Sequence, residues 1–204
     1  ASEEGLLERI EMRKVKDAIE MYEELKSQGL ELSEESKISL LHLCCVYNCE
    51  DPQDNINSET LKYNSEFKQL QILYKTWKDN GPAEQIFEDL QEKTAEAYCS
   101  LIRGMAKYVN ADKAYGLYNE MCKANLPVDV QTFNALIGLS RVLYTSTDEN
   151  LKNIKALFES MNKRGVKPNQ ETFMKAIQAF RFLDRKTIDI LYKIFYEMKS
   201  INME

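Results

Sequence analysis

The chain has 204 residues, enough for one or two ordinary domains, and its 44% hydrophobic and 29% charged side chains are those of a soluble globular protein. Seven glycines and four prolines are too few for a β-rich fold full of tight turns, and no apolar run approaches the roughly 20 residues needed to cross a bilayer. The net charge of -6 conceals an asymmetry: residues 1–93 carry 21 acidic and 11 basic side chains, residues 94–204 carry 12 and 16, so the halves are expected to face different partners. The opening "ASEEGLLERIEMRK" is too charged for a cleavable signal peptide. Five cysteines without regular spacing suit a reducing compartment, not a disulfide framework.

In chain order, the first predicted helix is "DAIEMYEELKSQG" (17–29), with Gly29 where a helix C-cap belongs. "GLELSEESKISLL" (29–41) opens the next, with Ser33 as N-cap and Glu34 and Glu35 favourable to the dipole in the first turn. It runs into "HLCCVYNC" (42–49), which holds the only histidine and three of the five cysteines. On a helix, His42, Cys45 and Cys49 fall on one face, a set that can be offered to a metal. No second ligand pair with metal spacing follows, and buried cysteine is a small hydrophobe. The stretch is therefore expected to be a core helix with no metal: Leu40, Leu41 and Cys44 buried, His42 and Cys45 facing a groove, and Cys49 at the helix end.

An insertion follows. It begins with "EDPQDNINSET" (50–60), expected to be a mobile loop, and continues as "YNSEFKQLQILYKTWKDNGPAEQIF" (63–87), which has apolar residues enough to pack. Trp77 is read there as a packing anchor, and a helix near 82–91 closes the segment.

From there the chain repeats itself. "NLPVDVQTFNALI" (125–137) and "GVKPNQETFMKAI" (165–177) superimpose without gaps, and "EKTAEAYCSLI" (92–102) joins the register with Tyr98 35 residues before Phe133. Between them recurs a second pattern, "KAYGLYNEMCK" (113–123), "KALFESMNKRG" (155–165) and "IDILYKIFYEMKS" (188–200). Leu117, Tyr118 and Met121, like Leu157, Phe158 and Met161, have the i, i+1, i+4 spacing of a buried helical stripe. Gly165 sits at a C-cap and Pro168 forbids continuation. Each unit is thus two antiparallel helices, A and B, that bury their stripes only by stacking on neighbours, which predicts an all-α solenoid. Phe133 to Phe173 is 40 residues, and the five extra are expected in the polar inter-helix stretch "LYTSTDENL" (143–151).

The tetratricopeptide pattern fits poorly, since placing Ala114 in its alanine slot leaves Ile102 where glycine is expected. "GVKPNQETF" and "VDVQTFNALIGL" instead resemble the pentatricopeptide repeat family, over residues from about 14 to the end. "AEQIF…EKTAEAYCSLIRGMAK…AYGLYNEM…DVQTFNALI", preceded by the tryptophan-containing insertion, is similar to the branch of that family carried by the mitochondrial small ribosomal subunit. The resemblance implies a right-handed α-solenoid of antiparallel helix pairs with a long insertion in its N-terminal part. Its acidic segment would be 1–93, with the insertion at about 50–80, and its regular repeats about 95–129, 130–169 and 170–204, in one continuous solenoid. The last repeat stops short, which points to a piece of a longer chain. The implied location is the mitochondrion, and the implied partners are single-stranded RNA (mRNA or rRNA) and small-subunit ribosomal proteins. No catalytic activity and no cofactor are implied, in keeping with the lack of a Gly-rich phosphate loop or a nucleophile set around the single histidine.

Such repeats read one base per unit with two or three side chains. The resemblance assigns that role to the residue after the helix A aromatic and the last residue of the repeat. Here the pairs are Cys99 with Asp129, Asn134 with Asn169, and the degenerate Ile38 with Thr94; Met174 has its partner beyond the chain end. Only Asn134 and Asn169 both carry base-edge donors and acceptors, a combination associated with pyrimidines. Asn134 has a second reading, as a residue that hydrogen-bonds a helix start. Positions one, five and eight after each aromatic share a helix face: Cys99, Arg103 and Ala106; Asn134, Gly138 and Arg141; Met174, Gln178 and Arg181. Arg141 and Arg181 are equivalent in successive units and are expected to form a basic track, with Arg103 and Lys107 in the preceding one. That track is read either as a phosphate-binding strip or as a solvated charged face. A scaffold that binds only proteins, through the acidic half, is the rival to RNA binding.

Overall fold

The computed structural model describes residues 2–52 and 76–180, together with 189, 190 and 192. Most of the insertion (53–75), nearly all of the last predicted B helix (188–200) and Arg181 lie outside the described residues. Nine helices and no strands are found among those described: α1 Glu3–Glu11, α2 Val15–Ser27, α3 Glu34–Tyr47, α4 Pro82–Glu88, α5 Ala95–Lys107, α6 Ala111–Lys123, α7 Val130–Leu143, α8 Thr147–Lys163 and α9 Gln170–Gln178. The fold is the all-α repeat solenoid expected. No described helix is long and apolar enough to cross a membrane.

Local chemistry sets the helix ends. Ser33, Thr94, Asp129 and Asn169 each accept a backbone N–H of the first turn with their side chains, capping α3, α5, α7 and α9. Gly29 and Gly165 take φ values of +72° and +69° just past α2 and α8, where a side chain would be strained. The turns close with paired bonds, Leu30 N–H to Leu25 O and Gly29 N–H to Lys26 O in the first case, the Schellman pattern.

The chain forms two compact units, Ala1–Val109 and Asn110–Glu204. In the first, α3 is the central helix and packs on α1, α2, α4 and α5. Leu40, Leu41 and Cys44 are buried as expected. Cys45 departs from expectation: instead of facing a groove it is only 2% exposed. The cause is Gly104 of α5, where an added Cβ would stand 2.8 Å from the Cβ of Cys45, so α5 lies directly on that face of α3. Trp77 closes the same contact as a buried anchor, and its indole N–H donates to Glu84 Oε1 at 2.7 Å. α1 has no counterpart in the sequence reading. Its signals are Ser2, whose hydroxyl accepts Gly5 N–H at 3.2 Å, and the acidic Glu3 and Glu4 behind it.

In the second unit α7 is central, against α6, α8 and α9. The repeat register is visible in ring contacts, each helix A aromatic meeting one from the preceding helix B. Phe87 and Tyr98 do so in the first unit, with centroids 5.0 Å apart; Tyr118 with Phe133 (5.9 Å) and Phe158 with Phe173 (5.7 Å) do so in the second.

The five extra residues do not lie in a loop. The α7–α8 connection is 144–146, the same length as the 108–110 connection between α5 and α6. The excess lengthens the helices, since α7 has 14 residues against 13 in α5, and α8 has 17 against 13 in α6. Asp148 and Glu149 favour the added first turn of α8 through the helix dipole. Asn150, in that turn, is buried and donates to Ala179 O at the end of α9 at 2.7 Å, while its carbonyl oxygen accepts the Ser140 hydroxyl. A polar run read as a loop is therefore a helix start with a structural bond to make.

Candidate nucleic-acid interface

In the second unit the two asparagines are brought together. Asn134, four residues into α7, is 1% exposed, and its amide N–H₂ donates to Asn169 Oδ1 at 3.2 Å and Glu171 Oε2 at 3.3 Å. The two acceptors fix which way the amide points, because reversing it would set oxygen against oxygen. Its own Oδ1 is left buried with no hydrogen-bond partner. An orphaned acceptor of this kind costs about 1–3 kcal/mol. Asn169 Oδ1 is heavily used: besides Asn134 it accepts Thr172 N–H and the Thr172 hydroxyl, both at 2.9 Å, in the capping box that starts α9. The position is thus both the last residue of a repeat and the cap of the next.

Around this pair Arg141 is half-buried and Gln178 and Met174 are exposed. An added Cβ at Gly138 would meet Lys175 Cδ at 3.4 Å, so the lysine stem crosses α7 one turn from Arg141. Lys175 was absent from the sequence reading, although it stands two residues after Phe173. Glu171 was missed as well; in the first turn of α9 it is a normal dipole partner, and nothing in the sequence pairs it with Asn134.

The first unit is different. Cys99 is buried and offers no bidentate contact to a base. Lys107 donates to Val46 O, near the C-terminal end of α3, at 2.6 Å, and the Tyr108 hydroxyl donates to the same carbonyl at 2.7 Å. Its ammonium also stands 5.3 Å from the Tyr108 ring centre. Lys107 is thereby tied to a helix end. Arg103 is half-buried close to Cys45, and its charge works against the upward push of burial on that thiol. Asp129, Cys99's partner in the sequence reading, lies in the second unit, exposed, and accepts Thr132 N–H at 2.7 Å as the cap of α7. Ile38 is half-buried in α3, and Thr94 caps α5. Among the described residues no group of three or more His, Cys, Asp or Glu side chains could hold a metal ion.

Comparison with known proteins places these features. The family described as small ribosomal subunit protein mS39, PPR, matches residues 1–110, and the PPR repeat family and pentatricopeptide repeat domain match 83–141 and 116–181. Small ribosomal subunit protein mS39 of Xenopus laevis is 31% identical over the whole chain, and that of Bos taurus is 34% identical. The chain spans about a third of the length of these relatives, 33% and 32%. Among solved structures, the pentatricopeptide domain of Arabidopsis thaliana protein-only RNase P 1, in complex with tRNA, shares the fold with a TM-score of 0.65 at 13% identity, covering 97% of this chain and 87% of that one.

Proposed function

The chain belongs to the small ribosomal subunit protein mS39 family, pentatricopeptide repeat proteins of the mitochondrial small ribosomal subunit, and from that premise we propose that it holds single-stranded RNA for that subunit, as part of its reception of messenger RNA. No catalytic step belongs to this reading. The observation that carries it is the orphaned Asn134 Oδ1, at the position that faces a base in such repeats, beside a half-buried arginine and the lysine that crosses Gly138. A donor on a base edge would satisfy that oxygen once Asn134 turned out of its buried place, and Arg141 and Lys175 would meet the flanking phosphates. Arg181, in the place equivalent to Arg141, belongs to the same proposed strip by sequence. Arg103 and Lys107 have the charge for RNA, but Lys107 would first have to leave Val46.

Charge supports the same end of the molecule. Residues 110–204 carry 14 basic and 11 acidic side chains, whereas residues 1–109 carry 13 and 22, so the first unit suits basic surfaces of neighbouring ribosomal proteins. The test is binding of a fluorescent single-stranded RNA over a range of salt. Arg141→Glu with Lys175→Glu should weaken binding and flatten the log–log salt slope by about 1.4, two phosphate contacts on a single strand. Asn134→Ala should act modestly and mostly on pyrimidine-containing RNA. If the folded double mutant binds with the parent's affinity and slope, this face is not the RNA site, and a protein-only scaffold takes its place.

A further inference from the structure

We propose that Cys44 and Cys49 are an oxidisable dithiol, a modification site for peroxide that closes as a disulfide across the C-terminal turn of α3. The geometry comes from the backbone. Asn48 and Cys49 take φ values of 53° and 59°, folding the chain back so that Cys49 N–H donates to Cys44 O at 3.1 Å. In this six-residue turn the side chains of the first and last residues ordinarily make an apolar contact. Here both are cysteines, and each thiol stands near enough to shift the titration of the other. Two cysteines whose side chains diverge cannot be bridged without moving the backbone; the six-residue turn brings these two to the same end of the helix.

The two sulfurs are not equivalent. Cys44 is fully buried while Cys49 keeps 7% exposure, so a small oxidant meets Cys49 first. The Cys44 S–H pulls the Cys49 thiol down to about 7, helped by Ala83 N–H and the charge of Lys78, against burial and Glu50. The Cys49 thiol beside it, with burial, pushes the Cys44 thiol up. Cys49 is therefore the nucleophile and Cys44 the resolving thiol.

The step balances with hydrogen peroxide as the two-electron oxidant. The Cys49 thiolate attacks one peroxide oxygen, the O–O bond breaks, and the hydroxide released takes a proton to leave as water, giving a Cys49 sulfenic acid. Cys44 sulfur then attacks the Cys49 sulfur; the S–O bond breaks, and the departing hydroxide takes the Cys44 proton as a second water. Two thiols are oxidised and one peroxide is reduced.

The experiment treats the reduced full chain with hydrogen peroxide at neutral pH, quenches with iodoacetamide and reads intact mass and fragments. The expected product has two fewer alkylated thiols and has lost two hydrogens, with no backbone fragments released between residues 44 and 49. Cys49 should be lost about tenfold faster than half-exposed Cys122, and more slowly as pH falls through about 7. Cys44→Ala should trap a sulfenic acid at Cys49 that dimedone labels, and Cys45→Ala should leave the disulfide intact, with helicity checked by circular dichroism in each. Equal oxidation rates for Cys49 and Cys122 in the unmutated chain, or a bridge mapping to Cys45, would overturn the proposal. The unmutated chain decides it even where a variant does not fold.

Discussion

At position 104 a side chain has nowhere to go. Its Cβ would stand 2.8 Å from the Cβ of Cys45 and 3.0 Å from Trp77 Cζ3, and neither is the far end of a flexible chain. Gly104→Ala is therefore expected to cost about 1–3 kcal/mol by overpacking, although alanine is the better helix former. Urea unfolding checks it; an alanine variant as stable as the parent would mean that α3 and α5 separate freely. Nothing in the sequence distinguishes Gly104 from a tolerated helical glycine, because its constraint lies on another helix. Asn134 and Asn169 are the opposite case. The family resemblance pairs them as base-reading positions; the structure joins them by a hydrogen bond, and the capping of α9 by Asn169 and the part played by Glu171 depend on where the next helix begins.

Whole helices were legible where an apolar stripe agrees with a capping side chain or a terminal glycine, as in α2, α3 and α7. Legibility failed where polar residues do buried work. "STDEN" looks like loop because its asparagine is polar, yet Asn150 satisfies one carbonyl at the end of α9, that of Ala179. Asn150→Ala should strand Ala179 O, while the Ser140 hydroxyl keeps the bond from Asn153, at a cost of about 1–3 kcal/mol; a thermal melt unchanged within error would show that the added turn is ornamental. The described residues on either side of 53–75 are held to each other and to α2. Asn48 donates to Thr76 O at 2.9 Å and accepts Lys78 N–H at 3.4 Å, and Glu50 pairs with both Lys16 and Lys78. Asp51 Oδ1 accepts Lys16 N–H at 3.1 Å, capping α2, which has no cap of its own. Replacing residues 53–75 with a short Gly/Ser linker should therefore leave helicity and cooperative unfolding in place, since loop closure changes slowly with length. Collapse of the melt on excision would show that the insertion is part of the core.

Over the whole molecule, acid should act first on the Ala1–Val109 unit. Ser33 and Ser36 hydrogen bonds hold the Glu3 carboxyl below its ordinary range, Lys37 does so for Glu34, and Lys16 and Lys78 bring Glu50 to about 2. A carboxyl whose folded value is depressed adds stability that is present above its unfolded value, about 4.3, and is lost as pH falls through the folded one. Melting temperature should decline between about pH 4.3 and about 2, and Glu50→Gln should soften the lower part of that decline. Identical pH profiles for the two proteins would show that the exposed Glu50 pairs contribute nothing, as many surface pairs do.

The caps carry a consequence for information. Ser33, Thr94, Asp129 and Asn169 occupy one place in successive repeats, and each starts a helix with its side-chain oxygen. Helix starts accept a short vocabulary, chiefly serine, threonine, aspartate and asparagine. Any reading of a base from that place must be spelled with those four letters, since lysine, arginine or an aromatic there would lose the cap that starts the next repeat. Under the proposed RNA reading, folding thus sets the size of the dictionary before any base is met. The other letter of each pair, the one after the helix A aromatic position, caps no helix, and there this chain writes isoleucine, cysteine, asparagine and methionine. Under that proposed reading, a redesign of base preference would begin there and leave the cap as spelled.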